Sequence, residues 1–412
     1  MMTALTANLW LTAYPIATAS SLSFYALLVA LVFPATRSHL APLLGLQKSL
    51  TQRHLGGFDA YRGFAAILVA ASHSWYFTNP VFSSTQHMWP VLGVGAKAVA
   101  MFAVLSGFLI YRSVLSINSV ADLRVYVLRR FFRIYPVYLA GIILGLFFLQ
   151  YVDGTNFQGF RLFVADLFMF HIFRWPAFSN PVTWSLYIEV VFYALLPLVV
   201  LTVGRNRMLS VAVLGIIAMT IGVYIGREFT LWRFFLFGIV ASEIASRIKY
   251  GGLPLFALGL SLVTYDLSGY AGSTDWAGQI GIEPVHVGDG GNSLGLGIGC
   301  ALVLISTTNM LVIPRILDIL PLRILGVISY SVYIIHPFFI LANFPEIGVI
   351  GREVDHTKLE TMALMTSWYL PLVFLPGILF WGVVSFLLVE RPGINFGQKL
   401  AAQIRRASAA VT

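Results

Sequence analysis

Long apolar runs recur along the whole chain, and short stretches that carry most of the charge separate them. Each run is close to the roughly 20 residues that an α-helix needs to cross the hydrocarbon core of a bilayer. The runs lie at residues 10–33, 59–77, 96–115, 134–151, 183–203, 208–225, 231–246, 253–268, 293–313, 324–344 and 366–389. This pattern predicts an all-α fold, a polytopic membrane bundle of about ten or eleven transmembrane helices.

The composition favours a membrane protein over a soluble one. Of the 412 residues, 58% are hydrophobic and 10% are charged, and the mean hydropathy is +0.84. A soluble domain carries about 25% charged residues. The apolar runs leave no room for a sizeable soluble domain, so any activity is expected inside the bundle.

The positive charges are distributed unevenly between the two sides of the predicted bundle. If the N-terminus is outside, the inner loops hold 17 of the 26 Lys and Arg residues and the outer loops hold five. The inner set is Arg37, Lys48, Arg53, Arg124, Arg129, Arg130, Arg133, Arg205, Arg207, Arg247, Lys249, Arg315, Arg323, Arg391, Lys399, Arg405 and Arg406. The positive-inside rule therefore predicts that the N-terminus is out and the C-terminus in. The net charge of +9 is attributed to this topology, and no nucleic-acid partner is expected.

Three further features bear on the topology. Residues 161–175 are apolar but too short to span comfortably, and we interpret them as a re-entrant or interfacial segment on the outer face. The first apolar run lacks a basic segment before it and is long enough to span, so no cleaved signal peptide is expected. Cys300 is the only cysteine and is interpreted as a packing residue.

One predicted span carries ionisable side chains at both ends. Asp59 and Arg62 lie at its inner end and His73 lies toward its outer end. Arg62 and His73 are eleven residues apart, so they share a helix face, separated by about 16 Å. Ionisable groups inside a span are costly and are candidates for function. The alternative is that Arg62 anchors the helix at the interface and His73 bonds a neighbouring backbone group.

A second cluster of cations precedes the run at 134–151. Arg130 and Arg133 share a helix face at a spacing of three residues, where guanidinium groups can grip a phosphate. Anchoring of the helix by the positive-inside rule would produce the same charges without a ligand.

Two later spans carry further polar residues. Glu189 lies less than two turns from the outer end of its span, at a depth similar to that of His73, so a His–Glu pair is possible. Tyr333 and His336 share a face with Ser329, and Pro337 is expected to kink the helix beside His336. That histidine is therefore either structural or catalytic. No two histidines lie one helical turn apart, and no metal is expected.

Taken together, these motifs resemble the membrane-bound acyltransferase 3 family, whose bacterial members O-acylate sugars and other surface glycans. The resemblance rests on Asp59, Arg62 and His73 in one helix, Ser106 and Gly107 in M-F-A-V-L-S-G-F-L-I, Arg130, Arg133, Tyr135 and Pro136, Trp184, Ser185 and Glu189 in W-S-L-Y-I-E, and Tyr333 and His336 in Y-S-V-Y-I-I-H-P. It implies an acyltransferase domain at residues 58–392, preceded by an extra helix and basic linker at 1–57 and followed by a short basic cytoplasmic tail at 393–412.

The resemblance also implies a reaction in the bacterial inner membrane. Acyl-CoA, with acetyl-CoA as the expected donor, would be bound from the cytoplasm by Arg62, Arg130, Arg133 and Ser106. A carbohydrate or glycolipid acceptor would meet it near Trp184 and Ser185. His73, an imidazole with an ordinary pKa of about 6.5, would be the general base, oriented by Glu189, with His336 and Tyr333 as an alternative base or oxyanion donor. One continuous passage from the arginines to His73 is expected.

Other functions fit the same residues. In a proton-coupled transporter or flippase for a sugar-containing substrate, the histidines and Glu189 would relay protons. A polysaccharide polymerase also uses intramembrane arginines, but it would need a large outer loop. The sequence leaves open the acyl group, the acceptor, an acyl-enzyme intermediate and the oligomeric state, a homo-oligomer included.

Overall fold

The computed structural model describes residues 15–44, 56–78, 95–151, 160–169, 179–203, 207–225, 231–248, 252–267, 285–287, 290–292, 294–309, 319–343 and 370–409, and nearly all of these lie in helices. The helices are α1 (Pro15–Val32), α2 (Pro34–Leu43), α3 (Gly56–Thr78), α4 (Gly95–Leu115), α5 (Val120–Tyr151), α6 (Phe160–Leu167), α7 (Trp184–Thr202), α8 (Arg207–Ile225), α9 (Trp232–Arg247), α10 (Gly252–Leu267), α11 (Leu294–Asn309), α12 (Leu320–Asn343), α13 (Leu375–Ser385) and α14 (Arg391–Ala409). A 3₁₀ turn (Pro181–Thr183) precedes α7, and π-helical turns (Leu370–Phe374 and Phe386–Glu390) flank α13.

The predicted helical fold class is confirmed, because each apolar run coincides with a helix. In the described part of the chain, six helical segments are long and apolar enough to cross a membrane: Pro15–Val32, Lys97–Leu115, Val120–Phe148, Trp184–Thr202, Leu320–Asn343 and Leu372–Ala409. The apolar helices Gly252–Leu267 and Leu294–Thr308 are shorter. The direction in which the termini face stays a prediction.

A small hairpin is the one pair of strands among these residues. Strands β1 (Val285–Val287) and β2 (Gly290–Asn292) pair antiparallel, with Val285 opposite Asn292. Valine favours extended backbone and glycine disfavours helix, so this stretch suits a strand pair better than a helix.

Two helices extend further than the apolar pattern predicts. Helix α5 begins at Val120, and its 32 residues measure about 48 Å, more than the roughly 30 Å of a bilayer core. Residues 393–412, predicted as a tail, instead form helix as far as Ala409. The two extensions pack antiparallel, because Gly393 lies against Pro136 and Gly397 against Phe132.

Helix α12 lies at the centre of the bundle, with apolar residues buried all round it. Tyr333 and Ile334 belong to the main hydrophobic cluster, whereas Ile328 and Val332 face a second cluster formed with α1 and α13. A helix that is apolar on all sides is expected to be buried. Arg323, predicted in an inner loop, is instead buried, because α12 already begins at Leu320.

Helices α3 and α12 run parallel and in close contact. Gly63 of α3 lies so near Gly326 of α12 that a Cβ atom on Gly63 would be 2.9 Å from the Gly326 nitrogen. Ten residues further along each helix, His73 contacts His336. The glycine contact therefore fixes the register in which the two histidines meet.

Polar contacts also join the helices that surround α12. The N-terminal helix α1 packs on α13, where the Trp381 indole donates to the Ser20 hydroxyl at 3.0 Å. Lys97 of α4 and Asp266 of α10 form a buried ion pair of 3.0 Å that the sequence did not reveal. Both side chains are almost fully buried, so each charge depends on the other.

The described part of the segment at 161–175 turns back along α5. The hydroxyl groups of Tyr135 and Tyr138 donate to the carbonyl oxygens of Leu167 and Asp166, at 2.9 and 2.5 Å. Both tyrosines lie at least 13 residues before Tyr151, or about 20 Å along the helix. The eight residues of α6 measure about 12 Å, too short to span. Residues 170–175 lie outside the described residues.

Close contact between α4 and α9 provides a test of the packing. A Cβ atom on Gly238 would lie 2.6 Å from the Phe108 nitrogen, so Gly238→Val should force the helices apart and lower the unfolding free energy by about 1–3 kcal/mol. The check is the thermal unfolding midpoint of the purified protein in detergent. Gly215→Ala is the control, because its nearest neighbour is 3.9 Å away and alanine favours helix. Equal effects of the two substitutions would contradict this packing.

Candidate active site

Three arginines from two helices converge on one cavity. Arg62 comes from the second turn of α3, and Arg130 and Arg133 share a face of α5. The cavity measures about 820 Å³ when the space at its open mouth is included. Its described lining comprises Arg62, Val99, Phe102, Leu105, Ser106, Leu109, Ile110, Arg130, Arg133, Ile134, Ser185, Leu186, Glu189, Tyr193, Ser329, Tyr330 and Tyr333.

Two of the arginines each lie close to a carboxylate. Arg62 lies 3.6 Å from Asp59, one turn earlier in α3. Arg133 lies 4.0 Å from Glu390, which is fully buried and accepts a 2.7 Å hydrogen bond from the Ser331 hydroxyl. The carboxylates lie outside the described cavity lining, so the guanidinium groups face the cavity with their charge partly compensated.

Arg130 is held by aromatic rings instead. Its guanidinium carbon lies 5.2 Å from the ring centre of Tyr193 and 5.9 Å from that of Tyr126, within the range of cation–π attraction. A long hydrogen bond of 3.5 Å reaches the Ser113 hydroxyl. This support leaves the charge of Arg130 available to an anion in the cavity.

Glu189 faces the same cavity as the arginines. It accepts a 2.6 Å hydrogen bond from the Ser106 hydroxyl of α4 and another from the Tyr193 hydroxyl one turn along α7. The described hydrogen bonds of Glu189 are thus made with α4 and within its own helix, and its pairing with His73 stays a prediction.

Ser185 and Tyr333 close the end of the cavity that is remote from the arginines. The Tyr333 hydroxyl lies 2.8 Å from the Val182 carbonyl oxygen and 2.7 Å from the Ser185 hydroxyl. Because a carbonyl can only accept, Tyr333 donates to Val182 and Ser185 donates to Tyr333. The ring of Phe102 lies edge-on to Tyr333, with 6.1 Å between centres.

The two histidines lie beyond this end. His73 Nδ1 and His336 Nε2 are 2.8 Å apart, and the rings are stacked with an interplanar angle of 20°. His336 is fully buried, with its ring centre 6.0 Å from that of Tyr333. Neither histidine is among the described lining residues of this cavity, whose lining ends at Tyr333 on that side, and the continuous passage to His73 stays a prediction.

Most of the residues predicted for the site thus come together. Arg62, Arg130, Arg133, Ser106, Ser185, Glu189 and Tyr333 line the cavity, and His73 and His336 form the adjacent pair. Trp184 is partly buried in the main hydrophobic cluster and is not among the described lining residues. Its role in binding a substrate stays a prediction.

Sequence reasoning missed Tyr193 and Glu390. Tyr193 lies four residues after Glu189, so the shared helix face could have revealed it. Glu390 adjoins Arg391 at the end of the last apolar run, which resembles a solvated ion pair at the membrane surface. The π-helical turn Phe386–Glu390 instead ends with this side chain buried in the bundle.

The arrangement combines two chemistries at neighbouring positions. Three guanidinium groups and a serine hydroxyl can bind phosphates or another anion. One turn beyond the far end, an imidazole pair can accept and release a proton. A substrate anchored by its anionic part could therefore present another part of its length to the histidines.

Known proteins similar to this chain include an acyltransferase family and one curated relative. A family model described as an acyltransferase domain matches residues 55–391, which is most of the chain. Nodulation protein 10 of Rhizobium leguminosarum bv. viciae is 26% identical over 196 residues, which cover 43% of this chain and 52% of that protein. This chain thus spans about half the length of the curated relative it matches. No solved structure matches the chain.

Substitution of Glu390, which lies next to Arg133, tests whether its buried contacts stabilise the fold. Glu390→Ala removes the acceptor of the buried Ser331 hydroxyl, so we expect the unfolding free energy to fall by about 1–3 kcal/mol. Glu390→Gln keeps an acceptor for Ser331 and should lose less. Thermal unfolding in detergent measures both variants. Wild-type stability of the alanine variant would show that this contact does not stabilise the fold.

Proposed function

The chain belongs to the acyltransferase 3 family of membrane acyltransferases, and from this premise we propose that it is an acyl-CoA-dependent O-acyltransferase. It transfers an acyl group, acetyl in the expected case, from the cytoplasmic side to a hydroxyl group of a glycan or lipid-linked sugar on the extracytoplasmic side. The membrane is the bacterial inner membrane. The proposal depends chiefly on one observation, the cavity with three arginines at one part of its wall and Tyr333, next to the histidine pair, at another.

The cavity suits a long donor with an anionic head. Coenzyme A carries phosphates at one end and the reactive thioester at the other. The phosphates bind Arg62, Arg130 and Arg133, and the narrow pantetheine arm follows the apolar wall beside Phe102. In this orientation of the donor, the thioester lies near Ser185 and Tyr333. Because the described cavity stops there, the Tyr333 side chain must move aside for the thioester to meet His73.

His73 is proposed as the general base of the transfer. An alcohol is a weak nucleophile at neutral pH, so it must lose its proton as it attacks. The acceptor oxygen forms a bond to the thioester carbonyl carbon while its proton passes to His73. The carbon–sulfur bond then breaks, and His73 returns the proton to the departing sulfur, which leaves as the free thiol. Tyr333, once displaced from Val182, can donate to the carbonyl oxygen as negative charge develops on it.

The other predicted residues bind rather than react. Glu189 holds the Ser106 hydroxyl at the cavity wall and offsets part of the arginine charge. Its predicted role in orienting His73 stays a prediction. Ser185 and Trp184, at the start of α7, are proposed to contact the acceptor.

A transfer assay distinguishes this function from transport. Purified protein in lipid nanodiscs is supplied with radiolabelled acetyl-CoA and an extract of envelope glycans. Label that becomes covalently attached to glycan supports the proposal. Sugar movement across vesicles without label transfer would instead support a transporter or flippase. Mass spectrometry of envelope glycans from a deletion strain then identifies the acyl group and the acceptor.

Substitution of His73 tests the base. His73→Ala should abolish acyl transfer, because no other group is proposed to take the acceptor proton, while the protein still inserts and folds. The measurement is the transfer rate, with the detergent unfolding midpoint as a check on folding. His39→Ala is the matched control, since His39 is exposed on α2, outside the family match. Retained transfer in His73→Ala would remove His73 from the mechanism.

Substitution of Arg130 tests the donor site. Arg130→Ala should weaken acetyl-CoA binding by about tenfold or more, since a charge-assisted contact contributes about 1.5–3 kcal/mol. Isothermal titration in detergent measures the dissociation constant. Arg129→Ala removes the same charge from the neighbouring position, which is exposed and absent from the described lining, and should bind normally. Unchanged affinity of the Arg130 variant would refute its role in binding phosphate.

A further inference from the structure

The hydrogen-bond partners of the histidine pair show which ring nitrogens carry a proton and which carry a lone pair. His336 Nδ1 lies 3.2 Å from the backbone carbonyl oxygen of Val332. A carbonyl oxygen only accepts hydrogen bonds, so this contact requires a proton on His336 Nδ1. A neutral imidazole has a single N–H group, and His336 Nε2 therefore carries a lone pair.

Pro337 strengthens this assignment. Proline has no amide hydrogen, so the Tyr333 carbonyl, four residues earlier, receives no helical hydrogen bond from residue 337. The backbone next to His336 is thus richer in acceptors than an ordinary helix. Such surroundings favour a donor at Nδ1 of His336 and disfavour a lone pair there.

The tautomer of His336 determines that of His73. His336 Nε2 is 2.8 Å from His73 Nδ1, and because the former carries a lone pair, the latter must carry the proton. When His73 is neutral, its Nε2 then has no proton and is the basic atom. The opposite tautomer of His73 would set two lone pairs against each other in a buried site.

We propose that His336 is a positioning residue: it accepts a hydrogen bond from His73 Nδ1 and thereby holds His73 in the tautomer whose Nε2 takes the proton of the acceptor hydroxyl. This inference rests on the proposed function for the identity of the reaction. After proton uptake, the His73 imidazolium still donates from Nδ1 to His336 Nε2, so the same bond stabilises the charged form. His336 itself neither gains nor loses a proton in the cycle.

The surrounding helices are built to keep this bond. The contact of Gly63 with Gly326 holds α3 and α12 in register ten residues before the pair. His336 is fully buried, so water does not compete for its Nε2. The ring planes lie within 20° of each other and the ring centres are 5.1 Å apart, which suits a hydrogen bond from the edge of one ring to the edge of the other.

Nitrogen-15 NMR of the unmodified protein tests the tautomer without reference to activity. Wild-type protein labelled at histidine ring nitrogens is compared with His73→Gln to assign the His73 signals. We expect a protonated Nδ1 and an unprotonated Nε2 at neutral pH. The reverse assignment would overturn the proposal even if acyl transfer is demonstrated. Because this measurement needs no turnover, it stands apart from the test of the proposed function.

Two variants test the positioning role in turnover. His336→Leu removes the acceptor and should lower kcat for acetyl transfer at least about 100-fold with KM for acetyl-CoA nearly unchanged. His336→Gln supplies an amide oxygen near the position of Nε2 and should recover at least tenfold of that loss. Equal activity of the two variants, or wild-type kcat in His336→Leu, would overturn the proposal. If His336→Leu fails to fold, the kcat of the glutamine variant and the NMR assignment test whether His336 positions His73.

Discussion

An ionisable side chain that is buried in an apolar bundle is stabilised only if a partner meets it there, because water is not available to solvate it. The described structure meets this requirement repeatedly. Lys97 is paired with Asp266, Arg62 with Asp59, and Glu390 with Ser331 and, at longer range, Arg133. Apart from Arg62 with Asp59, which lie in one helix, these pairs join segments that are distant in the chain, so the contacts that stabilise the buried charges also help to fix how the helices assemble.

The cavity depends on this arrangement of supported charges. The arginines line the cavity and are contacted by two carboxylates, Asp59 and Glu390, and by the rings of Tyr126 and Tyr193. A preformed set of donors spares a ligand the cost of ordering them. Binding and packing are therefore coupled, since Tyr193 of α7 and Glu390 of the π-helical turn after α13 both contact arginines of α5.

One turn of α12 separates Tyr333, at the cavity wall, from His336 of the imidazole pair. Tyr333 faces the cavity with its hydroxyl, and His336 faces α3 beyond it. His336 is fully buried there, whereas His73 is partly exposed.

The sequence by itself determined the helical fold and the set of polar residues worth examining. Both are local properties: run length and apolarity specify a membrane helix, and an arginine, glutamate or histidine inside such a run is unusual wherever it lies. The motif resemblance likewise identified the family that matches residues 55–391. The orientation of the bundle remains a prediction from charge.

Only the tertiary structure decided which of these residues meet. His73 bonds His336, and Lys97 pairs with Asp266, across 263 and 169 positions of the chain. Such pairings depend on helix order, register and rotation about each helix axis. Those are set by backbone contacts such as Gly63 on Gly326, which leave no periodic signal in the sequence. Depth in the membrane can be read from one helix alone, but the direction in which a side chain points requires its neighbours.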